Sequence, residues 1–211
     1  MNKLIGGLNV IRAYEISWLN NVGLPQIAVL EIYQDYTKPS IDTWQLKEFL
    51  VGINNSSYID LAALKTAIEY FLHQDTNCID CDIKIIPQQN FTTIEFTQNP
   101  KLAKLPNVIT KGTRFICQQT EQPFIGTVTV YYANDIQDAD TLLGNILHEL
   151  RNKKFTTQSY AAEVMQRITQ LQFDEFAFVI NLNRRGGISQ AAIRSNTAID
   201  FSSLSQRGIL E

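Results

Sequence analysis

Runs of basic residues are missing from this chain. Its 18 lysines and arginines never stand more than two together, at Lys153-Lys154 and Arg184-Arg185. The 21 acidic residues outnumber them and set the formal net charge at -3. A nucleic-acid or anionic-membrane partner would call for a basic stripe, so neither is expected. Long apolar runs are missing too, and none approaches the roughly 20 residues that cross a bilayer. The N-terminus MNKLIGGLNVIRAYEI lacks the apolar core and small-residue cleavage site of a signal peptide, and a cytoplasmic location is the expectation. There is no Gly-x-Gly-x-x-Gly fingerprint, so any nicotinamide binding is not of the Rossmann type.

Cysteine is scarce: the 3 present are Cys78, Cys81 and Cys117. An odd number in a chain without a secretion signal predicts free thiols rather than a disulfide framework. Cys78-x-x-Cys81 could combine with Cys117 and either His73 or His148 around zinc. A structural zinc site usually needs two such pairs, however. Cys78 and Cys81 also fall in or beside the strand-like run IDCDIKII, where positions three apart face opposite ways. No metal site is expected.

What is present is a 211-residue chain with 45% hydrophobic residues, enough for a real core in one domain or two small ones. Leu8 to Leu19 and Ile27 to Tyr36 read as a hairpin joined by Gly23-Leu24-Pro25. Ile41 to Ile53 reads as a helix capped by Ser40 or Asp42, and Asp60 caps a second helix from Leu61. Ile79 to Ile86 and Phe91 to Thr97 read as strands, and Asn99 to Asn107, with its two prolines, as a linker. The second half repeats this order. Val108 to Cys117 and Gly126 to Tyr132 are strands, Asp138 to Leu150 and Thr157 to Leu171 helices, and Phe176 to Leu182 and Ala191 to Ile199 strands.

The stretch Thr113 to Tyr132 carries the candidate chemistry. Pro123 stiffens the loop before a β-branched, aromatic strand and pushes Gln122 toward an extended conformation. Cys117 thus sits at a strand end facing a rigid turn. That position suits a nucleophile, and equally a small buried residue.

The pattern Cys117-x-x-Thr120-x-Gln122-Pro123, followed by a Gly-led strand, resembles the catalytic loop of the NADPH-dependent 7-cyano-7-deazaguanine (preQ0) reductases, the nitrile reductases of queuosine biosynthesis. Tyr14 to Thr37 resembles the first hairpin of that family's two-module form. Arg184 to Asn196 resembles its C-terminal signature, with Ile193 where a tryptophan stands before Arg194. The likeness runs in order from about Tyr14 to Asn196. It implies an α+β chain of two tandem tunnelling-fold modules, each ββααββ with an antiparallel sheet and two helices. The expected domains are 1–99 and 100–211, the second carrying the Cys117 loop. It further implies a homo-oligomer, since each module leaves edge strands to be closed by association. The chain begins close to the first matched strand, so the N-terminal extension of the two-module enzymes is expected to be absent.

The resemblance also assigns roles. Cys117 falls at the nucleophile that adds to the nitrile carbon, giving a thioimide that two hydrides from NADPH reduce to the amine. The acid beside it is replaced by Phe124, which moves no proton; Glu121 on the same loop is either its substitute or a solvated residue. The heterocycle's contacts fall at Asp42, which is otherwise a plain N-cap, and at Thr156 and Thr157, where the family has a His-Glu pair. Arg184, Arg185, Gly186, Gly187 and Arg194 fall where the family grips NADPH phosphate, with surface salt bridges as the alternative. Three of the four acid and ring-binding positions have changed chemistry and the fourth is shortened. The favoured expectation is therefore a relative that binds a purine- or pterin-like heterocycle with the reductase reaction impaired or altered. An active NADPH-dependent reductase and a non-catalytic assembly protein are the alternatives.

Overall fold

The computed structural model describes residues 6–54, 56–75, 78, 81–87, 105–171, 173–185 and 187–197. The described residues form eight strands and four helices, a mixed α+β architecture. The chain divides into two compact units, one of Val10–Thr93 with Arg184–Ser189, the other of Met1–Asn9, Ile94–Asn183 and Gln190–Glu211. We call them the N-terminal and C-terminal units. The expected boundary between 99 and 100, and the expected strand Phe91 to Thr97, lie outside the described residues.

In the N-terminal unit, β1 (Gly6–Leu19) and β2 (Pro25–Asp35) form the expected hairpin, and β3 (Cys81–Pro87) pairs antiparallel with β2. Gly23 turns the hairpin at φ 75°, a conformation that costs glycine nothing. Helix α1 (Thr43–Ile53) starts at Asp42, whose carboxylate accepts from the N–H groups of Trp44 at 2.8 Å and Gln45 at 3.2 Å. Leu46, Leu50 and Ile53, at helical spacing, are its buried face. In α2 (Leu61–Asp75), Asp60 caps the Ala63 N–H at 2.8 Å, and Leu64, Ile68 and Leu72 face the core. Phe49 and Phe71 stack between the helices at 4.2 Å. Each fully buried Leu or Ile contributes about 1.5–3 kcal/mol.

One ion pair lies inside this unit. Arg12 on β1 donates through Nε to Glu31 on β2 at 2.9 Å, and a second guanidinium nitrogen bonds the same oxygen. The two side chains are 3% and 1% exposed. The Tyr33 hydroxyl donates to the other carboxylate oxygen. Burial first, then this bond to Glu31, pushes the Tyr33 hydroxyl far above its ordinary pKa, so it stays a donor.

The cysteine expectation needs correcting. Cys78 and Cys81 are joined in a disulfide, with Cα atoms 6.3 Å apart. The strand begins at Cys81, so Cys78 precedes the pleat and escapes its alternation. The Cys78 N–H is tied back to Leu72 O at the end of α2, at 3.0 Å. Among the described residues, no three His, Cys, Asp or Glu side chains gather in metal-binding positions.

In the C-terminal unit, β4 (Asn107–Cys117), β5 (Pro123–Tyr132), α3 (Ala139–Leu150), β6 (Lys154–Phe155), α4 (Thr157–Ile168), β7 (Phe176–Arg185) and β8 (Ile188–Ser195) follow one another, with strand order β8-β7-β5-β4-β6. The two-residue β6 was not anticipated. The last turn of the expected Thr157 to Leu171 helix tightens into a 3₁₀ turn, Thr169–Leu171. The core is aromatic. Phe115 stacks on Tyr160 at 4.3 Å and meets Phe124 at 5.3 Å and Phe155 at 6.2 Å. Among the described residues, no helix is long and apolar enough to cross a membrane.

Candidate functional site

Alternation along β4 decides where the Cys117 thiol points. Thr113 and Phe115 are buried, with half-buried Arg114 and Ile116 between them, so Cys117 shares their core-facing side. Its residue is 7% exposed and its thiol is free. The turn after it is tight. The Cys117 N–H donates to Gln122 O at 2.8 Å, and the Glu121 N–H donates to Cys117 O at 2.9 Å. Pro123 then opens β5 opposite Ile116. Glu121 completes the turn at φ 55°, a left-handed conformation uncommon for a side chain of its size.

β6 shapes this end of the unit. It runs parallel to β4, with Lys154 opposite Ile116 and Phe155 opposite Cys117, and the Gln118 N–H donates to Phe155 O at 2.9 Å. That places the Lys154 ammonium on the exposed Glu121 carboxylate. The hydrogen bond to Lys154, and then its charge, hold the Glu121 carboxyl below the ordinary carboxylate range. Phe124, where the resemblance puts the acid, is directly opposite Phe115 and packs against the core.

The other ring-binding candidates serve local structure. Thr156 is the N-cap of α4 in a capping box with Ser159, its hydroxyl accepting from the Ser159 N–H at 3.0 Å. The Thr157 hydroxyl donates to the side-chain oxygen of Gln190. The register of β6 thus brings Cys117, Glu121 and Thr156 together around one hairpin end. Lys154 and Gln190 were not anticipated as partners, and no sequence signal marked them, because the contacts span 33 residues in each case.

Asp42 lies in the N-terminal unit as the α1 cap. Asp42→Ala is expected to cost about 1 kcal/mol, whereas Asp42→Asn keeps a capping oxygen and costs little. Urea unfolding of both variants checks this. Equal losses would mean that the cap is not what Asp42 contributes.

The positions expected to hold NADPH phosphate divide. Arg194 is 2% exposed, and its guanidinium donates to Leu8 O at 3.1 Å, to its neighbour Ile193 O at 2.8 Å and to Asn9 Oδ1 at 2.8 Å. Those bonds hold the guanidinium against three internal oxygens. Gly187 turns at φ 86°, and its carbonyl accepts from the Tyr14 N–H at 2.9 Å. With Tyr14, Glu15, Lys47 and Asn54 it lines a small cleft of about 140 Å³. Arg184 and Arg185 end β7, and Gly186 lies outside the described residues.

A larger cleft, about 430 Å³, opens elsewhere in the C-terminal unit, between the β4–β5 ladder and α3. It lies apart from the candidate residues that the resemblance assigns.

Residues 2–85 match the family model described as nitrile reductase, 7-cyano-7-deazaguanine-reductase N-terminal. The match takes in the Tyr14 to Thr37 hairpin and all of α1; the Cys117 loop lies beyond it.

Proposed function

We propose, from the match of residues 2–85 to the 7-cyano-7-deazaguanine reductase N-terminal model, that this chain is a heterocycle-binding member of that family in which nitrile reduction has been lost. The ligand class is a purine- or pterin-like ring, and the two units serve as tandem tunnelling-fold modules. One observation carries the reading: Phe124 stands opposite Phe115 and packs on the core where a proton donor is required.

The chemistry explains why that matters. When a thiolate adds to a nitrile carbon, the C–S bond forms as the nitrogen takes up a proton. An acid must therefore be positioned beside the sulfur. Phe124 has no proton to give. Glu121 is the remaining carboxyl on the loop, but Lys154 holds it as the carboxylate and draws it to the exposed side. Losing a positioned acid costs about 10²- to 10⁴-fold in rate. A ring-binding site with neutral Thr157 in place of a carboxylate loses charge-assisted bonds as well. The thiol, on the core face, is left as a packing residue.

The test is a paired measurement on the purified protein. NADPH oxidation with 7-cyano-7-deazaguanine is expected to stay at background at high protein concentration, while a purine- or pterin-like ligand raises the melting temperature. Oxidation that depends on the nitrile and disappears in Cys117→Ala would overturn the reading in favour of a working reductase.

A further inference from the structure

The cleft between the β4–β5 ladder and the C-terminal half of α3 takes no part in that reading. Its lining includes Lys111 and Arg114 from β4, and His148 and Arg151 from the end of α3, with Leu147 and Ile125 as apolar walls. Among the described residues, no acidic residue lines it. We propose that it binds the phosphate group of a small organic phosphate of about mononucleotide size.

Charge is the first argument. Lys111 is paired with Asp140 at 2.5 Å at the rim. Arg114 and Arg151 have no ion pair or side-chain hydrogen bond among the described residues. The α3 C-terminus opposes an anion with about half a negative charge. Two full guanidinium charges with no acid of their own outweigh it, and the fork of an arginine suits phosphate oxygens. The second argument is independent. Arg114 Nε is buried with no hydrogen-bond partner among the described residues. A buried donor left unmade is costly, and an acceptor that reached it would relieve that cost.

Space is the third argument. A Cβ added at Gly112 would meet nothing within 4 Å, and one added at Gly144 would meet only Lys111 Cε, at 3.9 Å. The resulting volume of about 430 Å³ lies in the range of roughly 300–1,000 Å³ typical of small-molecule sites. Leu147 and Ile125 offer an apolar surface to the rest of such a ligand, which free phosphate would not use.

The test is calorimetric titration of the full chain with AMP, adenosine and inorganic phosphate. AMP is expected to bind saturably, more tightly than inorganic phosphate, and adenosine not at all. Arg114→Gln and Arg151→Gln are each expected to weaken AMP roughly tenfold or more, the loss of one charge-assisted bond. Arg151 is exposed at the end of α3, so its variant folds even if the Arg114 variant does not. Gly144→Leu fills the cleft while adding a good helix former, and is expected to abolish AMP binding with stability retained. AMP affinity unchanged in Arg151→Gln or in Gly144→Leu would overturn the proposal. So would inorganic phosphate binding as tightly as AMP, or no saturable binding of any phosphate to folded protein.

Discussion

Arg12→Met is expected to cost the protein about 3–5 kcal/mol, because it removes the guanidinium that bonds the buried Glu31 carboxylate. Glu31 is 1% exposed, and its two oxygens are taken by Arg12 and the Tyr33 hydroxyl. Removing the guanidinium strands a charge that water cannot reach. The pair itself is a weak net contributor, since desolvating both ions consumes most of their attraction. That asymmetry yields a sharper test. Arg12→Met combined with Glu31→Gln removes both charges and keeps an amide oxygen for Tyr33. The double variant is expected to recover most of the loss. Denaturant unfolding of the two variants measures this, and a double variant no more stable than Arg12→Met would contradict it. Hydrogen exchange of Arg12→Met should show the extra opening in the N-terminal unit, where both residues and the β1–β2 hairpin lie.

The second large effect is at Phe115. Phe115→Ala is expected to cost about 3–5 kcal/mol, the range for removing a large aromatic from a close-packed core. Phe115 is fully buried and touches three other rings, from β5, β6 and α4. Its neighbours cannot collapse into the gap without breaking the β4–β5 register that holds Phe124 opposite it. Phe115→Leu fills part of the space and is expected to lose about half as much. The same ring fixes the hairpin end, so Phe115→Ala should also speed labelling of Cys117 by a thiol reagent. Urea unfolding and timed alkylation read the two consequences separately. A stable variant with unchanged labelling would show that Phe115 does not organise this site.

Much of this was legible in the sequence, for identifiable reasons. Asp42 and Asp60 stand immediately before helical apolar periods, and both cap the helices that follow. The run Gly126 to Tyr132 is β-branched and aromatic, and it is a strand that β5 merely begins earlier, at Pro123. The tight turn after Cys117 followed from Pro123, whose place at the start of β5 fixes the loop length. What stayed hidden depends on where the chain folds back. Cys78 and Cys81 were assigned to opposite faces of one strand, but the strand starts at Cys81, so a disulfide forms instead. β6 is two residues long and has no period to detect, yet it alone sets Lys154 on Glu121 and Phe155 beside Cys117.

The candidate site shows the same division. Phe124, at the position where the resemblance puts the acid, was readable as a single letter in a motif. That the loop's other carboxyl is drawn off by a lysine 33 residues away was not. The basic cleft is the extreme case. Arg114 on a strand and Arg151 after a helix are ordinary surface letters until the β4–β5 ladder and α3 bring them to one hollow. Gly144, which leaves that hollow open, reads in sequence only as a weak helix residue.

The central claim, that Cys117 no longer adds to the nitrile, is tested most directly by intact-protein mass spectrometry. Wild-type protein and Cys117→Ala are incubated with 7-cyano-7-deazaguanine, without NADPH. Both are predicted to keep their unmodified masses while the wild-type thiol, on unfolding, titrates fully. A mass increase equal to one 7-cyano-7-deazaguanine, present in the wild type and absent from Cys117→Ala, would contradict the account.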